Sequence, residues 1–303
     1  MTQMPPSGPA HVEYPPVANA MDYLDSVVEH LSGEPKPRDL KYAILHLQAA
    51  AEVLLKARLL QEHWSLVFKD PGRADRTRFE SGDFESCGVA ETIVRLGSIA
   101  GLSLPQKAVD ELKHLAKWRN ALQHYGMTAP APAVEARAAS ILDFLLVFLR
   151  EHLMPGLTGL DLMYAGEGEY YIIERLANIR SLIKVRMDRL RPGLAPYAER
   201  TVQCADCGQF ALVVGIAPLV CHFCGEKPPT RDFANFAVFY VDVVLGLSSY
   251  EEPEAGREWI VDCPDCSDTT VVLFAERAAK PGARVPLCVA CGKVFPDEFV
   301  HHL

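Results

Sequence analysis

Cys204-Ala-Asp-Cys207, Cys221-His-Phe-Cys224, Cys263-Pro-Asp-Cys266 and Cys288-Val-Ala-Cys291 hold eight of the nine cysteines of this 303-residue chain. Thirteen residues separate the first two pairs and twenty-one the last two. Two CxxC pairs bring four thiolates around one tetrahedral zinc ion at about 2.3 Å each, and the chain has that count and spacing twice. Disulfides or thioredoxin-like redox pairs would need an oxidising compartment or a βαβ setting, and the sequence signals neither. The expectation is therefore two structural zinc ribbons, with Cys204, Cys207, Cys221 and Cys224 on one ion and Cys263, Cys266, Cys288 and Cys291 on the other. The spacing leaves crosswise sharing of ligands open. The sequential assignment is preferred because each quartet is complete by itself.

Short β runs at 210–216 and 269–274 should carry the metal-binding turns. Between the ribbons, across 230–259, Asp232 can cap a helix with Phe233, Phe236, Phe239 and Val243 on one apolar face. Charge falls unevenly: residues 204–303 carry 7 Lys/Arg against 14 Asp/Glu, whereas residues 21–160 carry 16 against 18. Neutralised phosphates supply much of nucleic-acid affinity, so an acidic ribbon region makes a poor non-specific DNA or RNA clamp.

Upstream the pattern is helical. The first 20 residues hold five prolines and neither the basic start nor the apolar run of a signal peptide, which predicts a disordered tail. No stretch approaches the roughly 18 apolar residues of a membrane span, so the expected location is cytoplasmic. A long helix is predicted over 39–64, a loop over 69–82 and a helix over 84–100. Pro105 opens another helix that stops at Gly126, and a last one covers 134–153. These predict a mainly α chain: an antiparallel helical bundle over 21–160, a linker helix within 161–200 and two small ribbon modules of α and short β structure at 201–229 and 260–303. The linker helix, 169–191, has Ile172, Leu176, Ile179, Ile183, Met187 and Leu190 on one face and Arg175, Arg180, Lys184, Arg186, Arg189 and Arg191 around the rest. Its plainest reading is a packed helix with a solvated basic side; an RNA-facing or dimer-forming helix is the sharper one.

The helix before Gly126 ends Lys117-Trp118-Arg119-Asn120-Ala121-Leu122-Gln123-His124-Tyr125. On an ideal helix five residues turn about 500°, leaving Arg119 and His124 roughly 140° apart, so one straight helix does not unite them. A tightened last turn or a second copy of the chain could. With Leu47-Gln-Ala-Ala-Ala-Glu52-Val-Leu-Leu-Lys56 and Glu62-His-Trp64-Ser-Leu-Val-Phe68, the Arg119-Asn120-x-x-x-His124 motif resembles HEPN domains over about residues 21–155. HEPN proteins are helical bundles, many of them ribonucleases of toxin–antitoxin and phage-defence systems, in which two domains pair their Arg and His sets in one cleft.

The resemblance implies a homodimer that cleaves RNA without metal. His124 would be the general acid or base, Arg119 would stabilise the pentacovalent phosphate, and Asn120 would orient phosphate or imidazole. Products would be 2′,3′-cyclic phosphate and 5′-hydroxyl ends. The zinc ribbons would recognise RNA, an antitoxin or another protein. The competing class is a non-catalytic dimeric module whose ribbons bind protein. Other residues read more plainly: Glu52 and Lys56 as an exposed i,i+4 pair, Cys87 as a small core residue, and His46, His63, His114 and His152 as scattered. His301-His302 could scavenge metal.

Overall fold

Proline starts the first two helices, at the one helical position where its missing N–H costs nothing. In the computed structural model, which describes residues 12–230, 232–247, 259–296 and 298–299, α1 spans Pro16–Leu31 and α2 spans Pro37–Glu62. The predicted tail is thus shorter than 20 residues: Pro16 and the apolar Val17, Ala20 and Met21 begin a helix, and residues 1–11 lie outside the described region. α2 buries Leu40, Ile44, Leu47, Leu54, Leu55 and Leu59, and also Ala43, Ala50 and Ala51 around the rest of its girth. Burial that wide marks a central helix, and α2 meets α1 and three later helices.

The expected helix over 84–100 is confined to α4, Val89–Ser98, with α3, Arg76–Ser81, forming inside the expected loop. Residues before α4 are extended instead, where Ser86 bridges Phe68. One buried cation organises this corner. Arg95 donates to the carbonyl oxygens of Leu66 and Phe68, both at 2.6 Å, and of Lys69 at 2.9 Å, and pairs with Glu91. These carbonyls lie in the last part of the short turn Trp64–Val67 and just beyond it, so the arginine supplies donors that the turn's end lacks. Cys87 is buried beside it, as expected, with Sγ 3.3 Å from Thr92 Oγ1.

α5 runs Gln106–His124 with Pro105 as its cap rather than its first residue, and Gly126 follows at φ +97°. α6 is Ala131–Phe148, continued by a wide turn over Leu149–Leu153. The predicted linker helix is two helices, α7 at Gly159–Leu176 and α8 at Arg180–Leu194. The break has a physical cause. The Asn178 and Ile179 amides bond back three residues, and the Asn178 carbonyl oxygen accepts the Gly33 N–H at 3.1 Å, leaving the helical ladder. α7 lies against α1 so closely that a Cβ at Gly168 would come within 2.7 Å of Met21 Cε. No helix among the described residues is long and apolar enough to cross a membrane.

The chain divides into two compact units, residues 1–182 and 183–303, with the boundary inside α8. In the second unit β1, Thr201–Gln203, pairs antiparallel with β2, Phe210–Val213. α9, Phe233–Phe239, follows, capped by Asp232, whose carboxylate accepts the Asn235 N–H at 2.8 Å. Its buried residues are Phe236 and Ala237, followed by Tyr240 and Val241, whereas Val243 of the expected apolar face is exposed. The turn over Tyr240–Val244 is wider than an α turn and rotates Val243 outward.

A three-stranded antiparallel sheet completes the unit: β3 Ile260–Asp262, β4 Thr269–Arg277 and β5 Lys280–Cys288. The two ribbon modules are joined by backbone hydrogen bonds from Gly215 N–H to Val289 O and from Ala278 N–H to Thr201 O, and Ala279 N–H donates to Ala198 O just before the first ribbon.

Candidate metal centres and active site

Each CxxC pair forms the same turn. The first cysteine's carbonyl oxygen accepts the amide four residues on, from Gly208, Gly225, Ser267 and Gly292 in turn, at 2.7–3.0 Å. Its own N–H donates to the carbonyl five residues on, at Gln209, Glu226, Asp268 and Lys293. The residue after the second cysteine takes a positive φ between 62° and 81°, which explains glycine at three of the four.

These turns gather the sulfurs into the two sequential quartets, Cys204/Cys207/Cys221/Cys224 and Cys263/Cys266/Cys288/Cys291, each with all sulfurs within 4.8 Å of one another. The closest sulfur pairs lie at 3.7–3.9 Å in both. A disulfide requires about 2.05 Å, and all nine cysteines are free. Tetrahedral ligation at 2.3 Å puts sulfurs about 3.8 Å apart, from the edge of a regular tetrahedron. Each quartet therefore has the dimensions to hold one metal ion. Hydrogen bonds from the Cys207 thiol, then from Cys221 and Cys224, hold Cys204 far below the usual thiol range, while the Cys204 bond drives Cys207 up. Crowded thiols share out their protons in this way, and a cation would displace them.

One residue of the first centre escaped the sequence reading. Arg186, expected on the solvated side of a helix, is 5% exposed. Its Nη1 donates to the Phe223 carbonyl oxygen at 2.8 Å, and its guanidinium lies 5.3 Å from the Phe223 ring centre. Phe223 sits between Cys221 and Cys224. The spacing held a signal: 183, 186 and 190 follow the same i, i+3, i+7 line as the apolar residues.

In the helical unit, α5 remains α-helical to its end, with the Tyr125 N–H bonded to Ala121 O at 3.0 Å, so its last turn does not tighten. Asn120 and His124 are exposed, and Arg119 is half-buried. Arg119 instead enters a cleft of about 480 Å³ between α1, α2 and α5, which Tyr23, His46, Gln48, Glu52, Lys56 and Gln123 also line. Asn120 and His124 do not line it. Arg119 Nη1 donates to Gln123 Oε1 at 3.2 Å, and its Nε is buried without a partner.

The Glu52–Lys56 pair is formed at 2.6 Å, yet it stands partly buried in this cleft rather than exposed. Lys56 also donates to Ser86 Oγ at 2.8 Å, and Gln48 donates to Glu52 at 3.2 Å. Burial pulls Glu52 upward, but the Lys56 hydrogen bond and charge, then Gln48 and Arg119, hold it below the usual carboxylate range. His46 is not an idle histidine either. Its Nδ1 lies 2.8 Å from Ser26 Oγ, and burial, followed by the charge of His30, lowers its pKa. The pair His301-His302 lies outside the described residues.

Compared with protein-family models, curated proteins and solved structures, the chain has no significant match.

Proposed function

We propose that the helical unit is a HEPN-type endoribonuclease that works as a homodimer in the cytoplasm without a catalytic metal. The observation that carries this reading is the condition of the α5 motif. Asn120 and His124 stand open to solvent one turn apart, while Arg119 turns into a polar cleft with Nε unsatisfied. A two-fold partner would bring a second His124 toward Arg119, answering the angle that one helix cannot close. His124 would then move the proton of the attacking 2′-hydroxyl or the leaving 5′-oxygen, and Arg119 would meet the charge growing on phosphorus.

The double ribbon is proposed to hold two structural zinc ions and to recognise RNA or a protein such as an antitoxin. The donor set fits zinc: four thiolates at tetrahedral spacing leave no open position for water, so the metal supplies folding and no chemistry.

The test is cleavage of total RNA by wild type and His124→Ala in EDTA mild enough to leave the ribbons folded. Wild type should give cyclic-phosphate ends, and the variant should lose about 10²- to 10⁴-fold while keeping its dimer and zinc. Equal cleavage by both would overturn the site. A second reading, a non-catalytic dimeric module, draws on the apolar face of α7, where Leu160, Met163 and Tyr170 are 65%, 44% and 57% exposed. Equal inertness of both proteins, with dimerisation intact, would favour it.

A further inference from the structure

The cleft beside Arg119 has more donors than its own residues use. Lys56 carries three N–H donors and spends two, on Glu52 and Ser86. Arg119 carries five and spends one on Gln123, with Nε buried and unpartnered. Glu52, the carboxylate among the lining residues, already accepts from Lys56 and Gln48. Beside the imidazole of His46, the charged side chains lining the cleft are two cations, Lys56 and Arg119, and one anion, Glu52. A surplus of one positive charge and of N–H donors calls for a monoanion rich in acceptor oxygens. A phosphodiester matches that description, whereas a terminal phosphate would bring two charges.

The rest of the cleft suits what flanks such a phosphate. His46 lies six residues before Glu52 on α2, about 9 Å along the axis, which leaves room for a sugar. The Tyr23 and His46 rings stand 5.8 Å apart at a tilt of 44°, a surface on which an unstacked base can rest. Ser26 fixes Nδ1 of that imidazole, leaving Nε2 for a ligand.

We propose that this cleft is a single-chain binding subsite for one nucleotide of a single strand, with Arg119 and Lys56 taking the phosphodiester oxygens and His46 beside the sugar. The substrate class rests on the nucleic-acid reading of Arg119 above; the positions of Lys56, His46 and Tyr23 do not. Because His124 lies outside the cleft, the subsite binds without it.

Metal-loaded full-length protein with 13C-labelled histidine is titrated with the dinucleotide d(TpT), with thymidine and with inorganic phosphate, following the His46 resonance by NMR. The dinucleotide should shift it saturably. Arg119→Gln should weaken binding about 10-fold or more, as loss of a charge-assisted bond does, and Arg119→Lys should recover part. Lys117→Gln removes an exposed cation of the same helix and should change affinity less than about 2-fold, as exposed charges do. An unmoved His46, equal losses from Lys117→Gln and Arg119→Gln, or saturation by phosphate as tight as by d(TpT) would each overturn the subsite. RNA cleavage is read on the same preparations. Cleavage with an unmoved His46 leaves the ribonuclease reading and removes the subsite; binding by a protein that never cleaves does the reverse.

Discussion

Replacing Cys207 with serine should damage both metal centres. Serine offers the first centre a weaker oxygen ligand in place of one of four thiolates, and binding energy at such sites is on the order of 10 kcal/mol of folding energy. Separate ribbons would confine the loss to the first. Here two backbone hydrogen bonds cross between the ribbons, at 2.8 and 3.0 Å, and a Cβ at Gly215 would lie 2.7 Å from Gly292 N. At about 1 kcal/mol net for each bond, unfolding of the first ribbon should withdraw about 2 kcal/mol from the second. That is about a 30-fold loss of metal affinity at Cys263, Cys266, Cys288 and Cys291. Competition with a chromophoric chelator, alongside native mass spectrometry, measures it. Wild type should hold two ions, and the variant one ion of reduced affinity. The helical unit has its own core and should keep its circular-dichroism signal. A remaining ion held within about 3-fold of wild-type affinity would refute the coupling.

Two predictions concern the helical unit. Burial, then repulsion from Asp22, raises the Asp25 pKa from 3.8 to about 6, so the folded state favours the protonated acid. That contribution is fully present below pH 3.8 and is lost as pH rises through about 6. Asp25→Asn should therefore melt higher than wild type at pH 7, by on the order of 1 kcal/mol after allowing for solvent screening, and the gap should close near pH 4. A constant gap across that range would count against it. Arg95→Met strands three carbonyl oxygens and should cost about 3 kcal/mol in urea unfolding followed by tryptophan fluorescence, a result under about 1 kcal/mol being contrary.

The sequence was most readable where the chemistry is local. A CxxC turn closes within six residues, so its spacing carried the geometry of each turn, whereas the sequential sharing of the two sites, preferred over a crosswise one, is settled by the folded chain. Helices with a strong apolar rhythm were equally plain, although α2 proved central only through its alanines. What stayed hidden depends on partners far along the chain. Arg95 and Arg186 look like surface cations until the carbonyls they serve are brought in from 27 and 37 residues away. Nothing in Ala177-Asn178-Ile179 marks a helix break, because the donor that ends the helix belongs to Gly33. At the candidate active site, the sequence supplied Arg119, Asn120 and His124. The cleft that receives Arg119 is built from α1 and α2, whose His46 carries no local signature.

Ser267 is the exception among the four metal-binding turns. It holds a left-handed φ of 62° that its counterparts assign to glycine, at a cost of about 1 kcal/mol. In the same centre Cys266 and Cys291 are partly open to solvent, whereas all four cysteines of the other are buried. Under a competing chelator or an oxidant the two centres should therefore fail in a set order, the later one in the chain first. It acts as the fuse of the double ribbon: the centre that Arg186 closes from behind is the last to let go.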